Sequence, residues 1–333
     1  MKKIVFLITV LSVVVAVTST AFCTELVVYS ARKEHLVKPV FDTYQKETGV
    51  KIRYITGKAP VLLQRIISEG SKTPADLLIT VDAGNLWHAA KKGILLPINS
   101  PTLKTNVPSH YRDKEGHWYG LSVRARTIAY NTDKVKPEDL KHYEDLADSK
   151  WKNRLLLRTS KKVYNQSLVA MLIAENGKEK TARIVKGWVG NLAAPTFSSD
   201  TKVLEAIAAG QGDVGIVNTY YYGRLIRKKP ELPLKLFWPD QNGNGVHVNI
   251  SGAGVVKSSA NSKEAIKFLE WLSGTEAQNL FADVNMEYPV NPKVNPNSEV
   301  AAWGKFKSSS MSLEKAGELQ TEAIKLMDIA GYK

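Results

Sequence analysis

The chain has 333 residues, 44% of them hydrophobic and 23% charged, with a formal charge of +14. That length allows two domains, and that hydrophobic content supports a sizeable core and excludes a disordered chain. A basic balance invites nucleic acid or anionic ligands, but the cations are dispersed in short clusters such as Arg227-Lys228-Lys229. With no arginine-rich arm, zinc-finger spacing or ribonucleoprotein-type aromatic motif, nucleic acid is set aside.

Residues 1–23 carry Lys2 and Lys3, an apolar run from Ile4 to about Val17, and then small polar residues. This is the layout of a secretory signal peptide, with an apolar run short for a membrane span. Reading Ala21-Phe22-Cys23 as the small-x-small site puts cleavage after Cys23; lipidation of Cys23 is the alternative, to which Phe22 is poorly suited. Cleavage there removes the sole cysteine, so disulfide and thiol chemistry drop out. Losing Lys2 and Lys3 takes the charge from +14 to +12, so the mature chain stays basic.

Residues 26–30 read as a buried strand, and 34–49 as an amphipathic helix carrying Leu36, Val40, Phe41 and Tyr44 and stopped by Gly49. Strand 50–56, helix 59–70, strand 75–80 and helix 83–93 follow. Such alternation predicts a parallel sheet wrapped by helices, with ligands at the carboxyl ends of its strands. After an extended stretch, 119–135, a second unit begins: strand 154–160, helices 164–177, 179–192 and 201–212, and strand 213–218. A second extended stretch, 246–257, precedes a helical end. Two crossings between α/β units describe a two-lobed clamshell.

Directly after strand 213–218 stand Tyr220, Tyr221 and Tyr222. Neither strand alternation nor helical fanning supplies a simple packing reason for such a triplet, which is read either as aromatic core or as a site. Enzyme constellations compete poorly. The stretch 56–60 lacks the first glycine and the Ser/Thr of a P-loop, and 251–254 contains no Gly-x-Ser-x-Gly. The run Arg158-Thr159-Ser160-Lys161-Lys162 before a helix suits an anion on backbone amides.

In order along the chain, VYSARKEHLVKPVFDTYQKETGVKI, SEGSKTPADLLITVDAGNLW, SVRARTIAYNTDKV, WKNRLLLRTS, GDVGIVNTYYYGR, SGAGVVKSSAN and EYPVNP resemble the periplasmic ferric-ion-binding proteins of bacterial ABC importers. These form the iron-binding branch of the type II solute-binding proteins, and the tyrosine run after GDVGIVN is the specific signal. The resemblance implies an α/β clamshell of two lobes, each a mostly parallel sheet flanked by helices, joined by two crossing strands. It implies no enzymatic activity, Fe(III) as cargo, and delivery as a monomer to a membrane permease of an ABC importer. On these pieces residues 24–125 with 250–301 form the first lobe, and 126–249 with 302–333 the second. The family's adjacent tyrosine ligands map onto Tyr220 and Tyr221, and a further one onto Tyr130.

The chain departs from subgroups that place a His or His-Tyr pair after the first strand, where Lys33-Glu34 stands, and a Glu after the third, where Val81 stands. Little first-lobe ligation is therefore expected, with Glu34 an open sixth ligand. The subgroup lacking those ligands completes the shell with a small inorganic anion such as carbonate, which points to Arg32 and Arg126. Arg126 lies four residues before Tyr130, on one face of an extended strand. Hard Fe(III) suits phenolate oxygen. The alternative is a binding protein for an oxyanion, phosphonate or sugar phosphate.

Overall fold

The computed structural model describes residues 25–333, so the signal-peptide reading of residues 1–23 lies outside the described residues. Three strand–helix units open the described chain: β1 (Glu25–Ser30), α1 (Glu34–Thr48), β2 (Lys51–Thr56), α2 (Ala59–Glu69), β3 (Leu77–Thr80) and α3 (Ala83–Lys91). Helix α1 buries Val37, Val40, Phe41 and Tyr44 and ends where Gly49 takes the left-handed φ of 74°, its N–H closing on the Gln45 carbonyl. Only a residue without Cβ does this at no steric cost. Leu36, expected on that buried face, is only half-buried because it borders a cleft.

Helix α4 (Pro101–Asn106) leads into β4 (Tyr119–Asn131), a 13-residue strand buried throughout. The second unit runs β5 (Leu155–Leu156), α5 (Val163–Asn176), α6 (Lys178–Gly190), α7 (Asp200–Ala208), β6 (Val214–Asn218), α8 (Thr219–Lys228) and β7 (Leu234–Phe237). The chain then returns through β8 (Val248–Val255), followed by α9 (Ser262–Leu272), α10 (Thr275–Asn285), β9 (Tyr288–Pro289) and α11 (Ser298–Ala301). The short α12 (Lys315–Glu318) packs on both α3 and α5, and α13 (Gln320–Ile329) on α5 and α6.

The strand order is β2-β1-β3-β8-β4-β6-β5. Strand β1 pairs in parallel with β2 and β3, and β5 with β6. Strand β4 changes partners midway: Tyr119–Ala125 pairs with β8, while Arg126–Tyr130 pairs with β6. Strand β4 thus belongs to two lobes, and with the antiparallel β8 it forms the double crossing between them. This is the two-lobed α/β clamshell anticipated from the alternation of elements. Its consequence is that the carboxyl ends of β1 and β3 face those of β5 and β6 across one cleft, the place where parallel sheets bind ligands.

Candidate functional site

The tyrosine triplet opens helix α8, immediately after β6. In a helix successive side chains turn by about 100°, so the three phenols cannot share one surface. Tyr220 and Tyr221 line the cleft, their rings 4.5 Å apart. Tyr222 turns into the core, where its hydroxyl donates to the Leu234 carbonyl at 3.2 Å and its ring meets Trp303 edge-on.

A third phenol joins the pair from another helix. Tyr164 sits in the first turn of α5 and lines the same cleft, within hydrogen-bonding reach of Tyr220. The guanidiniums of Arg124 and Arg158 lie 5.5 and 5.4 Å from its ring centre. Burial is the largest cause raising the Tyr164 hydroxyl above its ordinary value, and Tyr221 adds to it; Arg124, a hydrogen bond from Tyr220 and Arg158 oppose it. The Tyr220 hydroxyl is pushed well above the usual range, again by burial first and then by Tyr164 and Tyr221. Tyr164 and Tyr220 resist ionisation because burial disfavours their charged forms and each would face neighbouring phenol oxygens. A polyvalent cation reverses that balance by giving the clustered negative charge a partner.

Of the residues expected from sequence, Tyr220, Tyr221 and Arg32 border the cleft, whereas Tyr130, Arg126 and Glu34 do not. Tyr130 is a correction. It does follow Arg126 at an even spacing on β4, but four residues span about 13 Å. That carries it to the far part of the second lobe, paired with Val214 and Lys235. Burial, then Glu138, raises its hydroxyl. Arg126 is likewise committed elsewhere: its guanidinium donates to Asn165 on α5, Asp200 on α7, and Asn218 and the Ile216 carbonyl on β6. It is 2% exposed and holds the second lobe together. Glu34 turns outward and accepts from the Tyr54 hydroxyl at 2.9 Å.

Arg32 reaches the cleft but is spoken for, donating to Asn285, Ser122 and Ser251 at 2.7 Å each and pairing with Glu287. Sequence reasoning missed Tyr164, Arg124 and Arg158. The signal was present in the anion-suited run 158–162, which leads straight into Tyr164. What periodicity could not give is the rotation of α5 that turns this phenol toward α8.

The surroundings of the phenols are electropositive. Arg32, Lys33, Arg124, Arg158, Lys162 and Arg224 line the cavity, against the single carboxylate of Glu287. Three helices point their amino ends here: α1, α5 and α8, whose N-cap residues Lys33, Lys162 and Asn218 make no side-chain cap bond. Uncapped N–H groups and the helix dipole add partial positive charge. By contrast α3, which begins at the crossing, is capped by Asp82 accepting from the Gly84 N–H. The other Asp82 oxygen takes Ser167 of α5, Asn249 of β8 and Arg124 of β4. One buried carboxylate thus ties both lobes and both crossing strands, and burial raises its pKa.

Residues 72–307 match the bacterial extracellular solute-binding protein family, and the chain belongs to it. Its members bind solutes rather than transform them, in agreement with the expectation that this is not an enzyme. The chain is 44% identical over 315 residues to iron uptake protein A1 of Synechocystis, covering 93% of this chain and 88% of that one. Among solved structures, it resembles the Trichodesmium IdiA (FutA) protein in complex with iron and citrate. The TM-score there is 0.88 at 46% identity, covering 93% of this chain and all of that one. It also resembles the ferric binding protein of Campylobacter jejuni, with a TM-score of 0.88 at 34% identity over 92% of this chain and all of the other.

Proposed function

We propose that this protein captures Fe(III) between its lobes in the periplasm and delivers it to the membrane permease of an ABC importer. The observation that carries this reading is the meeting of Tyr164, Tyr220 and Tyr221 at one cleft between two flanking guanidiniums. Phenolate is a hard anionic oxygen matched to a hard trivalent cation. Three phenolates neutralise Fe(III), and the phenolic protons leave as the metal binds, so affinity falls as pH falls. Around a roughly octahedral ion about three positions remain. A bidentate anion fills two of them, held by Arg124 and Arg158 rather than by Arg126. Each of these two arginines carries one buried guanidinium nitrogen, Nη1 of Arg124 and Nε of Arg158, without a partner among the described residues. Guanidinium donors match a planar oxyanion. The names of the Synechocystis, Trichodesmium and Campylobacter proteins support the same cargo.

The test is metal analysis and a visible spectrum of the purified protein after iron loading. Iron on phenolates gives a red to orange band that disappears in the Tyr220→Phe/Tyr221→Phe variant. A colourless protein that binds phosphate or a phosphonate instead would move the assignment to the oxyanion reading.

A further inference from the structure

Helix α13 ends in a turn that aims one side chain at the back of the cleft wall. Gly331 takes the left-handed φ of 75°. Its N–H closes on the Asp328 carbonyl and the Tyr332 N–H on the Met327 carbonyl, both at 2.9 Å. This pair of bonds around a left-handed glycine stops the helix and turns the next residue back onto it. Tyr332 is thereby buried, 3% exposed. Its hydroxyl donates to the Arg158 carbonyl at 2.7 Å, across 174 positions of sequence. Burial is the largest cause raising that hydroxyl above its ordinary value, so it stays protonated and remains a donor.

What Tyr332 holds is the loop 157–162, which joins β5 to α5, supplies Arg158 and leads into Tyr164. The Arg158 guanidinium lies 5.4 Å from the Tyr164 ring centre and 5.6 Å from that of Tyr221. Its Nη1 is 3.5 Å from the Tyr221 hydroxyl. The facing Asp200 carboxylate stands off at 3.6 Å, and Nε has no partner among the described residues. A guanidinium held this loosely at its head is placed by its backbone. That backbone is fixed from behind the cleft. Asn165 donates to the Arg158 and Thr159 carbonyls at 2.8 and 3.0 Å. The Thr159 N–H reaches the Phe197 carbonyl at 2.9 Å, and the Ser160 N–H the Lys333 carbonyl at 3.2 Å. Residues 332 and 333 thus grip two successive turns of the loop's path.

Resting on the iron reading above, we propose that Tyr332 is a positioning residue for metal capture. It does not line the cleft. It acts through the Arg158 carbonyl, keeping the guanidinium against Tyr164 and Tyr221. A cationic donor beside the Tyr221 oxygen favours its ionised form. The same donor draws electron density from that oxygen, which raises the energy of a phenolate-to-iron absorption. When the loop loosens, both effects weaken together.

The experiment compares Tyr332→Phe with Tyr119→Phe. Each removes one buried hydroxyl that donates to a carbonyl at 2.7 Å, and the Tyr119 bond, to Ile98, lies in the first lobe away from the phenols. The Arg158 carbonyl keeps Asn165 as a second donor. Tyr119→Phe should therefore lower the urea midpoint of the apo-protein at least as far as Tyr332→Phe does. Hydrogen exchange of the apo-protein over 158–162 should quicken in Tyr332→Phe alone. After iron loading, Tyr332→Phe should move the visible band to longer wavelength. It should weaken iron retention against a competing chelator about tenfold, the low end of the roughly 10–100-fold that a supporting residue costs. Tyr119→Phe should match wild type in band and retention. A Tyr332→Phe protein with the wild-type band and retention overturns the positioning role and leaves the iron reading intact, as does an equal loss of iron in both variants. A colourless wild type overturns the iron reading and the proposal with it.

Discussion

The two walls of the cleft are built from the same kind of part, a loop leaving the carboxyl end of a parallel strand and entering a helix. The second-lobe wall presents phenols on the first turns of α5 and α8. The first-lobe wall presents Arg32, Lys33 and Val81, with the Glu287 carboxylate taken up by Arg32, while Glu34 turns away to Tyr54. The same fold geometry thus yields a phenol-rich surface on one side and, on the other, a surface without phenols whose single carboxylate is paired with Arg32.

The comparison breaks most visibly at the phenols. Tyr164→Phe should cost more iron affinity than the roughly 10–100-fold that a supporting residue costs, measured by competition with a chelator. Tyr130→Phe should leave it within about twofold, because its ring belongs to the second-lobe interior. If Tyr130→Phe abolished the band and Tyr164→Phe did not, the assignment of the third phenol would be reversed.

The next largest effect is on stability. Arg126→Ala removes the cation facing Asp200 and leaves Asn165 and Asn218 without their donor. Stranding a buried charge outright costs about 3–5 kcal/mol; Asp200 keeps Arg158 at 3.6 Å and the Asn218 N–H at 3.0 Å, so the loss should lie at or below the low end of that range, read from urea unfolding of the apo-protein. An Arg126→Ala protein with wild-type stability would refute its structural role.

A third test addresses the crossing between the walls. His247 is buried, and burial first, then Arg124 and Arg126, lowers its pKa to about 3. The folded protein therefore holds it neutral, while the unfolded chain protonates it below its ordinary value near 6.5. The contribution is fully present above about pH 6.5 and is lost as pH falls from there toward 3. Between pH 6.5 and 5 it amounts to roughly 2 kcal/mol. Raised carboxylates such as Asp82 act in the opposite sense, so the readout is the difference between wild type and His247→Gln. That difference should shrink the acid loss in the variant. Identical pH profiles would show that His247 is not held neutral.

The smallest effect sharpens the first-lobe side. Glu34→Gln should change iron affinity by less than about twofold and stability by no more than about 0.5 kcal/mol, since the group is exposed. A loss of iron binding would make Glu34 a ligand and collapse the contrast between the walls.

Much of this protein was legible before its fold. Strand–helix alternation gave the parallel units, because burial on both faces writes continuous apolar runs at β1 and β3 and helical spacing at α1. The tyrosine pair was legible as a candidate because it follows a strand's carboxyl end, at the ligand edge of a parallel sheet; the choice between core and site came from the resemblance to the ferric-ion-binding family. The third phenol and the working arginines were not. Tyr130 and Arg126 share a strand face with even spacing, but strand parity says nothing of distance along a 13-residue strand or of what packs above it. Arg126 is claimed by Asn165 and Asp200, residues 39 and 74 positions away in sequence, a pairing no local pattern encodes.

What the sequence by itself determined is therefore local: element order, the helix stop at Gly49, the basic balance, and the placing of Tyr220 and Tyr221 just beyond β6. These follow from short-range sterics and from the periodicity of burial. Only the tertiary structure decided that Tyr164 meets them, that Arg126 is structural while Arg124 and Arg158 line the cleft, and that Lys33 and Lys162 border it from opposite lobes without an ion pair among the described residues. Those facts depend on how α1, α5 and α8 converge, and convergence is set by the crossing of β4 and β8, where residues far apart in the chain share one buried network.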